Sequence, residues 1–128
     1  MKAKVTAVQR LKWRQLAYPM HYVGRHKCTF RLATMLERKI VVSSIGEYRP
    51  DLERGDVTMA GLGGALSEAE ERYYETYVFR IESFANDGVP IIGKQLDSTR
   101  CRTAGEAYKA HEEMCVKFQL ELNMGMHR

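Results

Sequence analysis

Apolar and polar positions alternate or cluster in a few well-separated stretches of this 128-residue chain. Residues 39–46, Lys-Ile-Val-Val-Ser-Ser-Ile-Gly, are rich in β-branched side chains and close on Gly46, which predicts a strand. Ile40, Val41 and Val42 are apolar in succession, so both faces of that strand are expected to be covered, as in the middle of a sheet. Glu47-Tyr48-Arg49-Pro50 reads as a turn, because proline fixes its own φ and pushes the preceding residue out of helical geometry. Residues 72–82 predict a second strand dominated by aromatic and β-branched residues. Period two puts Tyr73, Glu75, Tyr77, Phe79 and Ile81 on one face and Tyr74, Thr76, Val78 and Arg80 on the other. Asn86-Asp87-Gly88 is a turn signal. Pro90-Ile-Ile-Gly reads as a short edge strand. Residues 96–102 read as a further strand, with Leu96, Ser98, Arg100 and Arg102 on one face and Asp97, Thr99 and Cys101 on the other.

The period then changes. Ala107, His111, Met114, Cys115, Phe118 and Leu122 recur at spacings of three and four, which predicts a helix over about 104–122. Thr103-Ala-Gly-Glu106 forms a capping box at its start, and Gly125 falls just past its end. Residues 51–66, with Gly55, Gly61, Gly63 and Gly64, read as an irregular loop or hairpin. That stretch lacks the Lys-Ser/Thr of a phosphate-binding loop. Ser67-Glu-Ala-Glu70 fits the start of a short helical turn. The order strand, loop, strand, strand, helix is met most economically by an α+β fold, a small antiparallel sheet with a C-terminal helix packed on it.

Charge divides the chain. Residues 1–34 hold eight basic residues (Lys2, Lys4, Arg10, Lys12, Arg14, Arg25, Lys27 and Arg31) and no acidic one, whereas the remainder holds 12 basic against 16 acidic residues. The expected organisation is therefore a basic N-terminal extension, residues 1–34, and a single domain, residues 35–128. Three readings of the extension are open. It is an arm for nucleic-acid phosphates, with Trp13, Tyr18, Tyr22 and Phe30 interleaved among its cations; a solvated extension without a specific role; or translated sequence ahead of a later start at Met20 or Met35. It lacks the apolar core of a secretory signal and is too poor in serine to resemble a transit peptide closely. No apolar run reaches the roughly 18 residues of a membrane-spanning helix. Three cysteines (Cys28, Cys101 and Cys115), none in a Cys-x-x-Cys pair, suit free thiols in a reducing compartment.

The chemistry-bearing residues are sparse. His21, His26 and Cys28 lie close but lack a fourth zinc ligand, and His111 with Cys115 falls on the apolar stripe of the helix, where a core histidine and a core thiol are expected. No metal and no other cofactor is expected. No nucleophile elbow is present. Glu75, set between tyrosines, reads either as a carboxyl with a raised pKa or as the partner of Arg80, Arg100 or Arg102 across the sheet. The best constellation is anionic in preference. Arg102 precedes the Thr103 cap, where a helix start offers unpaired amides and partial positive charge. Arg100 shares its strand face, and Tyr77 and Phe79 offer flat rings for a base. The competing reading makes these aromatics core and the arginines solvated.

Glu75-Thr76-Tyr77-Val78-Phe79, followed after a loop by Arg102-Thr103-x-x-Glu106-Ala107-x-x-x-His111, resembles a recurrent pattern of small phage proteins. The Ser-x-Ile-Gly-Glu-Tyr-Arg-Pro segment and the Tyr-Tyr-Glu-Thr stretch are similar to the Thoeris anti-defence sponges. The likeness covers about residues 39–118. It implies a non-enzymatic phage protein in the bacterial host cytoplasm, which binds a cyclic ADP-ribose isomer without cleaving it and silences TIR-based immunity. It implies a homo-oligomer with ligand sites at subunit interfaces. On the matching positions, Phe79 would stack adenine and Arg102 and Thr103 would hold phosphate, with Arg49 a weaker candidate. No catalytic residue is implied. Two other readings stand beside it: a nucleic-acid-binding protein that uses residues 1–34, and an enzyme acting on nucleotide phosphodiesters through Glu75 and His111.

Overall fold

The computed structural model describes residues 4–20, 28–48 and 73–127. Arg49, Pro50, the glycine-containing stretch 51–66 and the capping signal at 67–70 lie outside them. The elements are α1 (Ala7–Lys12), β1 (Arg14–Gln15), β2 (Cys28–Leu36), β3 (Ile40–Tyr48), β4 (Tyr74–Phe84), β5 (Pro90–Cys101) and α2 (Ala104–Asn123). The strands form one sheet in the order β1-β2-β3-β4-β5, every neighbouring pair antiparallel, and α2 packs on one face. This is the α+β architecture the pattern predicts.

β3 is central, and the Ile-Val-Val run explains why. Val42 joins Leu36, Ile40, Val78, Cys115 and Phe118 under the helix, while Val41 joins Met20, Met35, Phe79 and Ile81 on the opposite face. Consecutive side chains of one strand thus feed two separate apolar clusters. β3 also runs past Gly46 through Tyr48, where a turn is expected, and Glu47 takes φ 54 there.

The compositional boundary between residues 34 and 35 falls inside β2. This strand pairs with β3 from Cys28↔Tyr48 to Leu36↔Ile40, and Cys28, Phe30, Ala33, Thr34, Met35 and Leu36 are buried. Its exposed positions include Thr29 and Arg31, so its positive charge sits on the solvent side of a core strand. Residues 4–20 form a strap rather than a free arm. α1 lies on α2: Gln9 and Asn123 exchange side-chain amide hydrogen bonds, and Trp13 Nε1 donates to Gln119 Oε1 at 2.9 Å. β1 then pairs with β2, and the chain crosses to the other face, where the Met20 amide donates to Ser43 Oγ at 2.8 Å.

β5 is one strand where two were expected. The register passes from Val78↔Asp97 to Phe79↔Gln95, leaving Leu96 as an extra residue in a bulge. That bulge turns Leu96 onto the helix-side cluster, so it does not share a face with Ser98 and Arg100 as simple alternation requires. Asp97 also reaches the helix, pairing with Lys117 at 2.7 Å; this bond holds its carboxyl below the usual range.

The β2–β3 turn places Glu37 at φ 50 and Arg38 at φ 58, a left-handed pair that usually selects Asn-Gly. Both residues are anchored. Glu37 accepts from Gln119 Nε2, and the Arg38 guanidinium sits 3.9 Å from the centre of the Phe84 ring.

Candidate functional site

The end of the sheet beside the start of α2 gathers Tyr73, Glu75, Arg100 and Arg102. Antiparallel register puts Glu75 directly opposite Arg100, and their side chains pair at 3.3 Å. This is the cross-strand pairing weighed for Glu75 from its spacing. Arg102 Nη2 donates to the Tyr73 hydroxyl at 3.3 Å. Both guanidiniums also stand over the Tyr73 ring, Arg100 at 5.6 Å and Arg102 at 5.2 Å from its centre. Ring quadrupole attraction draws both cations to this tyrosine, and Arg102 is held by its hydrogen bond to the hydroxyl as well.

Thr103 is the N-cap of α2, and its Oγ1 accepts from the Glu106 amide at 3.1 Å. Glu106 reaches back to the amide of Arg102, also at 3.1 Å, one residue earlier than the expected N-cap amide. The Thr103 hydroxyl and the Glu106 carboxylate therefore already serve the backbone at this helix start, and two carboxylates lie among the two arginines. An incoming phosphate competes with Glu75 for Arg100, whereas it displaces only a phenol from the Arg102 side chain.

The two rings expected to stack a base do not join this cluster. Phe79 is 8% exposed and packs among Met20, Met35, Val41 and Ile81. Tyr77 is half-buried and lies against it, ring centres 5.9 Å apart and tilted by 47°. Phe79 stands four residues along β4 from Glu75, about 13 Å at the usual strand rise. The competing reading of these aromatics as core is therefore the one the packing supports. The reason is the strap: Met20 and Leu16 cover that sheet face, and period two cannot show which face a distant segment will cover. Arg49 lies outside the described residues. Tyr73 was not among the expected site residues. Its place on the same face as Glu75 was readable, but its closeness to Arg100 and Arg102 follows only from the β4–β5 register.

Glu75 and His111 lie on opposite sides of the sheet. His111 is buried beneath α2, with Nε2 2.8 Å from Thr34 Oγ1 and Nδ1 2.7 Å from Ser44 Oγ; Ser44 in turn is 2.7 Å from Thr76 Oγ1. Burial holds the His111 pKa down to about 4. The Ser44–His111 pair is thus sealed within the core, and its hydroxyl cannot reach a solute. Burial also pushes the Cys28 thiol up to about 11 and that of Cys115 to about 12. Both stay protonated and act as small apolar residues. Among the described residues no three His, Cys, Asp or Glu side chains converge to hold a metal ion.

Comparison of the chain with family models, with curated proteins and with solved structures finds no match.

Proposed function

We propose that this chain binds and sequesters a small phosphate-bearing nucleotide at the Tyr73–Arg100–Arg102 cluster. The observation that supports this is the convergence of two guanidiniums on one half-buried tyrosine. A guanidinium can grip phosphate in a two-pronged fashion, and an arginine plane or the tyrosine edge offers a surface to a base. The cluster binds by exchange: phosphate takes Arg102 from the tyrosine hydroxyl and shares Arg100 with Glu75. Sequestration needs only affinity and abundance, since a signal held below the threshold of its receptor is silenced by mass action. The resemblance to anti-defence sponges narrows the ligand to a cyclic ADP-ribose isomer, the setting to a phage-infected bacterial cytoplasm and the working form to a homo-oligomer.

The test is retention. Purified chain is incubated with cyclic ADP-ribose isomers, desalted and heated, and the released small molecule is identified by mass spectrometry. Intact ligand supports sequestration, an altered product supports turnover, and nothing retained sinks the nucleotide reading.

A second reading, contact with nucleic acid, is favoured by the exposed Arg14 and Arg31. Arg14 lies opposite Met35 on β1, and Arg31 shares the Met35 face of β2, so both cations belong to one face at the sheet edge. Removal of residues 1–34 cannot test it, because that also removes most of β2. Arg14→Ala with Arg31→Ala should instead weaken salt-sensitive binding to DNA or RNA.

A further inference from the structure

Residues 4–20 are fastened differently from the rest of the fold. α1 buries none of its residues, and its Val8 and Leu11 are 59% and 85% exposed. Polar links hold it to α2: Gln9 with Asn123, and Arg10 with Glu112 at 3.4 Å as an exposed pair. Trp13 follows, donating to Gln119 and packing at the margin of the helix-side cluster. β1 then offers two residues to the edge of β2, and Gln15 Nε2 donates to Thr34 Oγ1 at 2.9 Å. On the other face of the sheet, Leu16 and Met20 cover Met35, Val41, Phe79 and Ile81, and the Leu16 amide donates to the Ala33 carbonyl at 2.9 Å. The buried residues of the helix-side cluster (Leu36, Ile40, Val42, Val78, Cys115 and Phe118) all come from β2, β3, β4 and α2.

One net hydrogen bond stabilises about as much as fixing one residue costs in entropy, so polar links alone do not hold a short helix in place. The apolar anchors of the strap are Trp13 on one side of the sheet and Leu16 and Met20 on the other. When one anchor lets go, the other is left to order a free chain. Lifting the strap also strands few polar groups: Thr34 keeps His111, and Gln119 Oε1 exchanges the Trp13 indole for water. We propose that residues 4–20 are an autoinhibitory cover, which opens as one unit while the sheet and α2 stay folded. Closed, Leu16 and Met20 occupy the apolar face built by Met35 of β2, Val41 of β3 and Phe79 and Ile81 of β4. Open, that face is offered to an apolar ligand instead. This device stands whether or not the arginine cluster binds a nucleotide.

Two measurements on the full chain test it. In native-state hydrogen exchange, the Leu16 and Met20 amides should exchange about tenfold or more faster than those of β3, with protection matched to each other within about threefold. Their acceptors are different groups, the Ala33 carbonyl and Ser43 Oγ, so matched protection reports a shared opening. The second measurement uses Trp13, the one tryptophan of the chain. Leu16→Ala with Met20→Ala should raise acrylamide quenching of Trp13 across the sheet and the fluorescence of added anilinonaphthalene sulfonate, an apolar dye. Far-ultraviolet circular dichroism should show α2 still formed. Exchange of Leu16 and Met20 at the β3 rate overturns the proposal, because the strap then leaves only when the whole chain unfolds. Unequal protection of the two amides overturns it as well. So does a Trp13 that stays as shielded in the double variant as in the wild type, which would show the two ends moving separately. If the double variant does not fold, exchange in the wild type decides alone.

Discussion

His111 Nδ1 lies 2.7 Å from the Ser44 hydroxyl, and this contact fastens the C-terminal helix to the central strand of the sheet. Thr34 on β2 and Thr76 on β4 complete the chain of contacts, so three strands and the helix share one buried polar line. Neutral imidazole satisfies it, donating at one nitrogen and accepting at the other. An imidazolium would carry a buried charge facing only hydroxyls, with the protonated Cys115 thiol one turn away.

The pH dependence follows from that geometry. Burial lowers the folded pKa to about 4 from the ordinary 6.5, so the unfolded chain binds more protons between these values. The contribution of His111 to stability is complete above pH 6.5, falls as pH drops through that window and levels off below about 4. The loss across it is about 3 kcal/mol. Denaturant midpoints measured from pH 7.5 to 4 should therefore fall more steeply for the wild type than for His111→Gln. Parallel curves would show that His111 does not titrate this way.

Phe79 and Tyr73 separate packing from binding. Phe79→Ala should cost about 3–5 kcal/mol, because it empties part of a well-packed apolar cluster. Tyr73→Ala and Arg102→Ala should leave the melting temperature almost unchanged and abolish nucleotide retention. Arg100→Ala removes an exposed ion pair worth at most about 1 kcal/mol; retention should fall less than in Arg102→Ala, since Glu75 already shares that cation. Thermal melts read beside the retention assay check all four variants.

Gly46 marks a close approach rather than the end of its strand. A Cβ there would stand 2.0 Å from Tyr74 Cδ2. Gly46→Ala must push the Tyr74 ring out of its edge contact with Phe30 and away from Glu47, to which its hydroxyl donates at 2.7 Å. The expected loss is about 1–3 kcal/mol, read as a lower denaturant midpoint at unchanged slope. Tyr74→Phe, which keeps the ring, should lose less.

The strap yields its own prediction. Trp13→Phe keeps an aromatic ring against the helix-side cluster but strips Gln119 Oε1 of its donor in a buried place, at a cost of about 1–3 kcal/mol. Trp13→Phe with Gln119→Leu should cost less than the two single changes added together, because the pair is coupled. A chain starting at Met35 retains only two residues of β2 and should not fold, whereas one starting at Met20 retains all of β2. Proton spectra of the two truncated chains decide this.

The sequence made some of these elements plain and concealed others. β3, β4 and α2 were readable because local preference and packing agree there: three successive β-branched or aliphatic residues, an aromatic strand and a capped stripe at helical spacing. The Asn86-Asp87-Gly88 signal likewise became a hairpin, with Gly88 at φ 87. β2 was hidden by composition. Its charge matched that of the segment before it, and Thr34 interrupts the apolar row although it is buried, because its partner His111 is 77 residues away. The β5 bulge, the burial of Gln119 and the covering of Phe79 by Met20 all depend on distant partners. At the candidate site both arginines and the threonine cap were legible as residues. The tyrosine that unites the arginines was not, since strand register brings them together.

The hydrogen bonds from Asn123 to the Lys4 carbonyl and to Gln9 join the end of α2 to the segment that precedes the sheet. A chain emerging from the ribosome can pair β2, β3, β4 and β5 in turn, but α1 has no seat until α2 has emerged. Its partners then lie more than a hundred residues away, and the entropy of closing so long a loop is offset only once the sheet has already drawn the two ends together. α1, made before every strand of the sheet, is therefore the last of these elements to find its place.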